Sequence, residues 1–355
     1  MEMLNNISLL LKSDLWTVLI NWFSNWLVNY GWAIVVFTIC LKLVLLPLDV
    51  FQRISSQKQA RASALMKPEL DEINRKYSGN KDKINQESAK LYKKYNVNVG
   101  GMCLTMILTL GLTMGVFFTL YGSIRSFGTD KLYSSYQQLD LTYVQAESTA
   151  HETWANAPVA GYDTEEDYVL EVAIEAVKDE YKQVSKRNSW LWVKSVWKAD
   201  ASNVNQFVSF EDYAKHQKLA DQAKADALVR YNNITTAITA QEGNANGYFV
   251  LVILAVAVSF LTQFLSAKIL APKGQKLNTM NKVMLVIIPL SMAIFASTSN
   301  VVFTLYIIMN SLMSAIISTI LSLIFKARSN KNGGEEVLVK KKNVEVVEYS
   351  RNYKK

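Results

Sequence analysis

Apolar residues in this chain are gathered into long blocks instead of being scattered through a mixed pattern. Five blocks run at about 28–50, 102–124, 247–269, 283–299 and 301–325. Each approaches the ~20 residues that a helix needs to cross ~30 Å of hydrocarbon. The polar cluster Ser297-Thr298-Ser299-Asn300 predicts a tight turn between the last two, which makes them antiparallel neighbours. Between the first and second blocks, residues 51–98 have helix-forming texture with one break at Ser78-Gly79-Asn80. That pattern predicts an antiparallel helical hairpin, Gln57–Lys76 against Lys81–Tyr95, with a thin seam of Leu65, Leu70, Ile73, Tyr77, Ile84, Leu91 and Tyr95. Pro68 predicts a kink or a fresh helix start within the first arm.

Residues 127–247 are long enough for a small, mainly helical domain. Thr164-Glu165-Glu166-Asp167 has the chemistry of a helix N-terminus and opens an amphipathic stretch through Lys186. Ser209-Phe210-Glu211-Asp212 opens a second, expected to run to about Tyr231. Trp190, Trp192 and Trp197 lie between them; a bilayer edge is the more economical expectation, a domain core the other. At the start of the chain, Trp16, Trp22, Phe23 and Trp26 alternate with polar residues, which predicts an interfacial helix within 1–27. This region lacks a basic leader and a small-residue cleavage site, so it is expected to be retained. The tail 326–355 is too polar to fold alone; it could contact ribosomal RNA or anionic headgroups, or simply be solvated.

Charge orients the blocks. Half of the residues are hydrophobic and 19% are charged. Lys and Arg outnumber Asp and Glu by 11 to 5 in 51–98, by 4 to 0 in 268–282 and by 9 to 4 in 326–355. The ratio reverses to 11 against 18 in 127–247. The positive-inside rule makes the first three cytoplasmic, which leaves the N-terminus and the 127–247 insertion outside. The net charge of +8 is thus a sum of basic inner loops and an acidic outer insertion, and it does not argue for specific DNA binding.

The blocks offer little conventional chemistry. Their one carboxylate, Asp49, lies at the inner border, and none holds a histidine, which disfavours proton-coupled transport and membrane proteolysis. His151 and His216 lack a companion pattern, and Cys40 and Cys103 lack metal spacing; the cysteines are expected to be buried small hydrophobes. No enzyme activity, metal or cofactor is expected. The exception is Lys42, a cation inside the first block, whose insertion costs ~2.5–3.5 kcal/mol and therefore marks a function, a snorkelling lysine being the bland alternative. The N-terminal tilt of helical Cβ atoms predicts that its side chain leans away from the inner boundary. Lys42 and Gln263 lie ~10 and ~9 Å from the inner ends of their blocks, and Asn310 lies ~14 Å below the outer start of the fifth. Three polar side chains at similar depth point to a wet recess open to the cytoplasm; hydrogen-bonded bridging of helices by Gln263 and Asn310 is the alternative.

Gly31-Trp-Ala-Ile-Val-Val-Phe-Thr-Ile-Cys-Leu-Lys-Leu-Val-Leu-Leu-Pro47, Met66-Lys67-Pro68-Glu69-Leu70, Leu91 through Asn98 and Gly101-Met102-Cys103-Leu104 resemble the YidC-type membrane protein insertases. Trp192 through Asp200, Phe260-Leu261-Thr262-Gln263, Ile288-Pro289 and Leu305-Tyr306 with Asn310 continue the match in order. The resemblance implies an all-α polytopic membrane protein of the bacterial plasma (inner) membrane. Its five-transmembrane-helix core would carry a cytoplasmic helical hairpin and an extracytoplasmic, mainly helical insertion. It further implies a hydrophilic groove including Lys42, Gln263, Tyr306 and Asn310, open to cytoplasm and lipid, and a hairpin marked by Pro68, Glu69, Tyr77, Leu91 and Tyr92. The implied partners are nascent membrane proteins and membrane lipids, with ribosome and Sec translocon as further candidates. Lys42 stands where the family usually has arginine, which keeps the charge and loses the planar donor fork. Thr105 and Val99 stand where proline is common, and the 127–247 insertion is longer than in short members. A transporter or channel, and a scaffold binding a partner through its insertion, are the competing functional classes.

Overall fold

The computed structural model describes residues 13–95, 99–270 and 279–331. They form helices α1 (Ser13–Trp26), α2 (Tyr30–Lys76), α3 (Lys81–Lys94), α4 (Val99–Asn156), α5 (Glu165–Asn188), α6 (Phe210–Gln217), α7 (Asp221–Glu242), α8 (Val250–Leu270), α9 (Thr279–Thr298) and α10 (Val301–Lys331). Among the described residues, extended pairing is confined to a single bridge between Trp190 and Val193. The segments Tyr30–Ser55, Val250–Lys268 and Val301–Ile324 are long and apolar enough to cross a membrane, and Lys282–Thr298 is a shorter apolar helix. The expected second span lies within α4. Large apolar side chains such as Leu43, Val44, Ile253, Val286, Leu290 and Leu323 point outward from these helices. Outward apolar faces of this kind suit a lipid solvent.

Two helices are longer than the block pattern predicts. The first span and the first hairpin arm are one 47-residue helix, α2, which runs through both Pro47 and Pro68. The fresh start expected at Pro68 is therefore absent. The second span likewise continues without interruption into the insertion as the 58-residue α4. Each proline removes a single i→i−4 bond while the flanking turns keep theirs, and a change from apolar to polar side chains leaves backbone bonding untouched, so neither ends the helix.

The described residues gather into two compact units. One draws on residues up to Leu41, Val116–Ser259 and Ile288–Ser311; the other on Lys42–Gly115, Phe260–Ile287 and residues from Leu312 onward. Helices α2, α4, α8, α9 and α10 each contribute to both.

In the first unit the insertion has its own core. Tyr136, Leu139 and Tyr143 of α4 pack with Ala173 and Val177 of α5 and with Tyr231, Ile234 and Ile238 of α7, closed by Phe207, Val208 and Tyr213. Thr164 and Ser209 cap α5 and α6 through the Asp167 and Asp212 amides, as their sequence chemistry predicts. The second expected helix is split in two. Lys218 adopts a left-handed conformation, and Leu219 N–H donates to Ala214 O, which ends α6 before α7 begins at Asp221.

The segment 188–200 is the hub of this unit. Trp197 is buried, its ring 4.9 Å from Tyr30 and 5.5 Å from Phe127, and its indole N–H donates to Asn188 Oδ1 at 2.9 Å. This corrects the expectation of a bilayer-edge residue, because a neighbour able to accept the indole proton makes burial favourable; Trp192 stays exposed. Gly128 of α4 permits the approach, since a Cβ there would lie 2.9 Å from the Trp197 ring and from Asn300 Nδ2. The same segment holds the starts of two later helices. Val301 and Val302 donate backbone bonds to Lys198 and Val196 carbonyls, and the buried Asp200 carboxylate accepts from Phe249 N at 3.1 Å and Leu251 N at 2.6 Å. Asn246 adds bonds to Ser195 N, Ser195 O and Ala199 O.

Helix α1 also differs from the interfacial expectation in part. Trp22 and Trp26 are exposed, but Trp16 is fully buried, with its indole donating to Thr119 Oγ1 at 3.0 Å. Cys40 is exposed on the same outward face of α2 as Val44, not buried as expected. The side chains of Cys103 and Thr105, residues 96–98, the connection 271–278, residues 1–12 and the tail 332–355 lie outside the described residues.

Candidate functional site

Lys42, the cation singled out by the sequence, is buried in α2 of the second unit. Its ammonium donates to Asp49 Oδ2 at 2.9 Å, with the two side chains 11% and 23% exposed. Seven residues return a helix to nearly the same face about 10 Å along its axis. The lysine stem therefore runs toward the C-terminal end of α2, opposite to the lean that the Cβ tilt suggested. The reason is energetic: a cation withdrawn from water needs a counter-charge, and the carboxylate in reach lies two turns further on.

Arg53 extends this face. It stands four residues beyond Asp49, close enough for the two charges to act on each other, and its guanidinium donates to Ser314 O of α10 at 3.1 Å. The same carbonyl accepts from Ser318 Oγ at 2.5 Å. Positions 42, 49 and 53 thus form a cation–anion–cation row inside or bordering an apolar helix. Asp49 and Arg53 were not among the residues expected to form the site, although the spacings of seven and four carried the signal.

The remaining expected groove residues divide between the units. Gln263 is half-buried in α8 of the second unit, next to buried Thr262. Tyr306 and Asn310 belong to the first unit: Tyr306 is buried with its ring 5.6 Å from Phe303, and Asn310 is half-buried beside Ser311, whose hydroxyl is 3.4 Å from that of Ser259.

The hairpin of the second unit has the predicted turn and a small seam. Asn80 accepts from Lys83 N and caps α3, and Gly79 has φ 91°, a conformation that costs glycine least. Met66, Leu91 and Tyr95 are buried, with Leu70, Ile73 and Tyr92 packed against them. Pro68 is exposed and Tyr77 half-buried. Glu69 joins the arms by accepting from the Tyr95 hydroxyl and from Lys94 Nζ, the latter at 2.7 Å. Burial, and then Glu69, push the Tyr95 hydroxyl up to about 12.

The histidines fall outside any site. His151 Nδ1 lies 2.7 Å from Glu165, and the His216 ring stacks on Tyr133 at 4.1 Å.

Long apolar helices with outward apolar faces, and a paired charge within one of them, define a helical membrane protein. The chain belongs to the family described as 60Kd inner membrane protein, whose model matches residues 22–328. Among its relatives, the membrane protein insertase YidC of Wolinella succinogenes is 32% identical over 113 residues, 32% of this chain and 20% of that protein. The proteins of the same name from Syntrophobacter fumaroxidans and Helicobacter pylori are 37% and 31% identical over 102 and 107 residues. These cover 29% and 30% of this chain, and 17% and 19% of the relatives. The chain spans about a fifth of the length of the curated relatives it matches.

Proposed function

We propose that this chain is a membrane protein insertase of the bacterial inner membrane, with its N-terminus outside and its C-terminus in the cytoplasm. The observation that carries the reading is a buried, charged Lys42 in the first apolar span of a chain from this family. An ammonium there is costly unless it serves a purpose. Lys42 and Gln263 of the second unit line a wet recess that takes up the polar tail of a client. The client's apolar segment, about 20 residues, then partitions into lipid and drives the reaction without a nucleotide. The hairpin around Pro68, Glu69, Tyr77, Leu91 and Tyr92 presents nascent membrane proteins to the recess; ribosome and Sec translocon are its candidate partners, and contacts with lipid headgroups fall to the basic connections.

The test is reconstitution of the full chain into liposomes with two single-span clients that differ only in tail charge, read as protease-protected product. Wild type and Lys42→Arg should insert both above empty liposomes. Lys42→Met combined with Asp49→Asn, which removes the charges without leaving one unpaired, should impair the acidic-tailed client most. Equal insertion of both clients by that double variant and by wild type would eliminate Lys42 as an electrostatic element.

A further inference from the structure

Lys42 is not free to meet a client: its ammonium is already occupied by a carboxylate of the same helix. We propose that Asp49 is a specificity-determining residue, a built-in competitor that sets how acidic a client tail must be to enter. This inference rests on the insertase reading above.

Asp49 is covalently tethered two turns from Lys42, so it competes at a high effective concentration that no single carboxylate from outside matches. The contact is a charge-assisted hydrogen bond at 2.9 Å between partly desolvated groups, which strengthens it over an exposed pair. A client has to replace it with something better, namely two or more carboxylates delivered together on one tail. The exchange is feasible because Asp49 is not stranded when Lys42 is taken. Arg53, one turn further along the same face, lies within reach of its charge and is itself anchored to Ser314 O. Removing one partner of a buried pair is costly when the other is left alone, and the second cation reduces that cost. The row Lys42–Asp49–Arg53 thus passes a carboxylate contact from one cation to the other while keeping a net charge of one positive.

The experiment uses the same proteoliposomes with a client series carrying zero, one, two or three tail aspartates on a common apolar segment. Wild type should show a steep rise between one and two. Asp49→Asn should raise insertion of the one-aspartate client, relative to the zero-aspartate client in the same variant, about tenfold over the wild-type ratio, which is ~1.4 kcal/mol, and flatten the series. Asp49→Glu, which keeps the competing charge, should retain the steep series. In the Lys42→Met background Asp49→Asn should add nothing for acidic tails. Asp49→Ser serves as a second neutral variant should Asp49→Asn fail to accumulate. The proposal is overturned if neutral variants lower all clients alike, or if their gain persists without Lys42. If wild type inserts no client above empty liposomes, the insertase reading itself falls; insertion by wild type with an Asp49-independent series overturns the inference alone.

Discussion

Asp200→Ala tests whether the 188–200 hub holds the start of α8. The Asp200 carboxylate is fully buried and accepts from two backbone amides, Phe249 N at 3.1 Å and Leu251 N at 2.6 Å. Both belong to the first turn of α8 or the residue before it, where helical amides have no partner in the chain ahead of them. Leaving a buried donor unsatisfied costs about 1–3 kcal/mol each, and a carboxylate at a helix N-terminus contributes about 0.3–1 kcal/mol more. The loss expected for Asp200→Ala is therefore about 4 kcal/mol. Asp200→Asn keeps one acceptor and should lose about half of that. At about 2–4 °C per kcal/mol, the alanine variant should melt roughly 10 °C below wild type. The assay is thermal unfolding of the purified chain in nanodiscs, with amide hydrogen exchange at Phe249 and Leu251 as the local readout. Melting within a degree of wild type, with both amides still protected, would refute the assignment.

Other consequences follow from the same contacts. Burial lowers the Lys198 ammonium to about 8, so between pH 8 and its ordinary value near 10.5 the unfolded chain binds more protons than the folded one. Stability should therefore rise with pH from about 8, until Tyr136 and Tyr213, pushed up chiefly by burial, reverse the slope above about 10; in melting curves Lys198→Met should lose the rise between pH 8 and 10. Gly128→Ala brings a methyl group to 2.9 Å from the Trp197 ring and should destabilise the first unit by about 1–3 kcal/mol, whereas unchanged melting would mean the ring has room to move. In the hairpin, Leu91→Ala removes a buried member of a small seam, so protease cleavage near Ser78–Asn80 should accelerate severalfold while the long apolar helices stay intact. For topology, a cysteine introduced after Lys76 should be shielded from an impermeant thiol reagent in intact cells and one near Asp163 labelled; the reverse would overturn the orientation.

The polar pattern of the chain alone carried the apolar blocks, the hairpin turn at Ser78–Asn80, the break at Ser297–Asn300 and the caps at Thr164 and Ser209. These depend on neighbours within a few residues, which is the range over which helix propensity, capping and turn chemistry act. Lys42 was equally legible, because a charge in an apolar run is conspicuous whatever surrounds it. The destination of its side chain was not. Cβ geometry pointed one way and the tethered carboxylate of Asp49 drew it the other, since a stem of four carbons lets a partner two turns away outweigh a local tilt. Arg53 gained its meaning only from a carbonyl on α10, 261 positions later in the chain.

The tryptophans mark the same boundary. An indole suits a bilayer edge and a protein core almost equally by composition, and an acceptor for its N–H makes the core favourable. Asn188 supplies one for Trp197 and Thr119 one for Trp16, while Trp22 and Trp26 remain outward. Helix lengths, too, escaped the block pattern: α2 and α4 pass from apolar to polar sequence without a break because backbone bonding is indifferent to which solvent the side chains face. What the sequence by itself determined was where the chain is helical and where it is apolar, both local properties. Only the tertiary structure decided which polar groups are satisfied and by whom, because a buried donor or charge takes its partner from wherever the fold brings one within 3 Å.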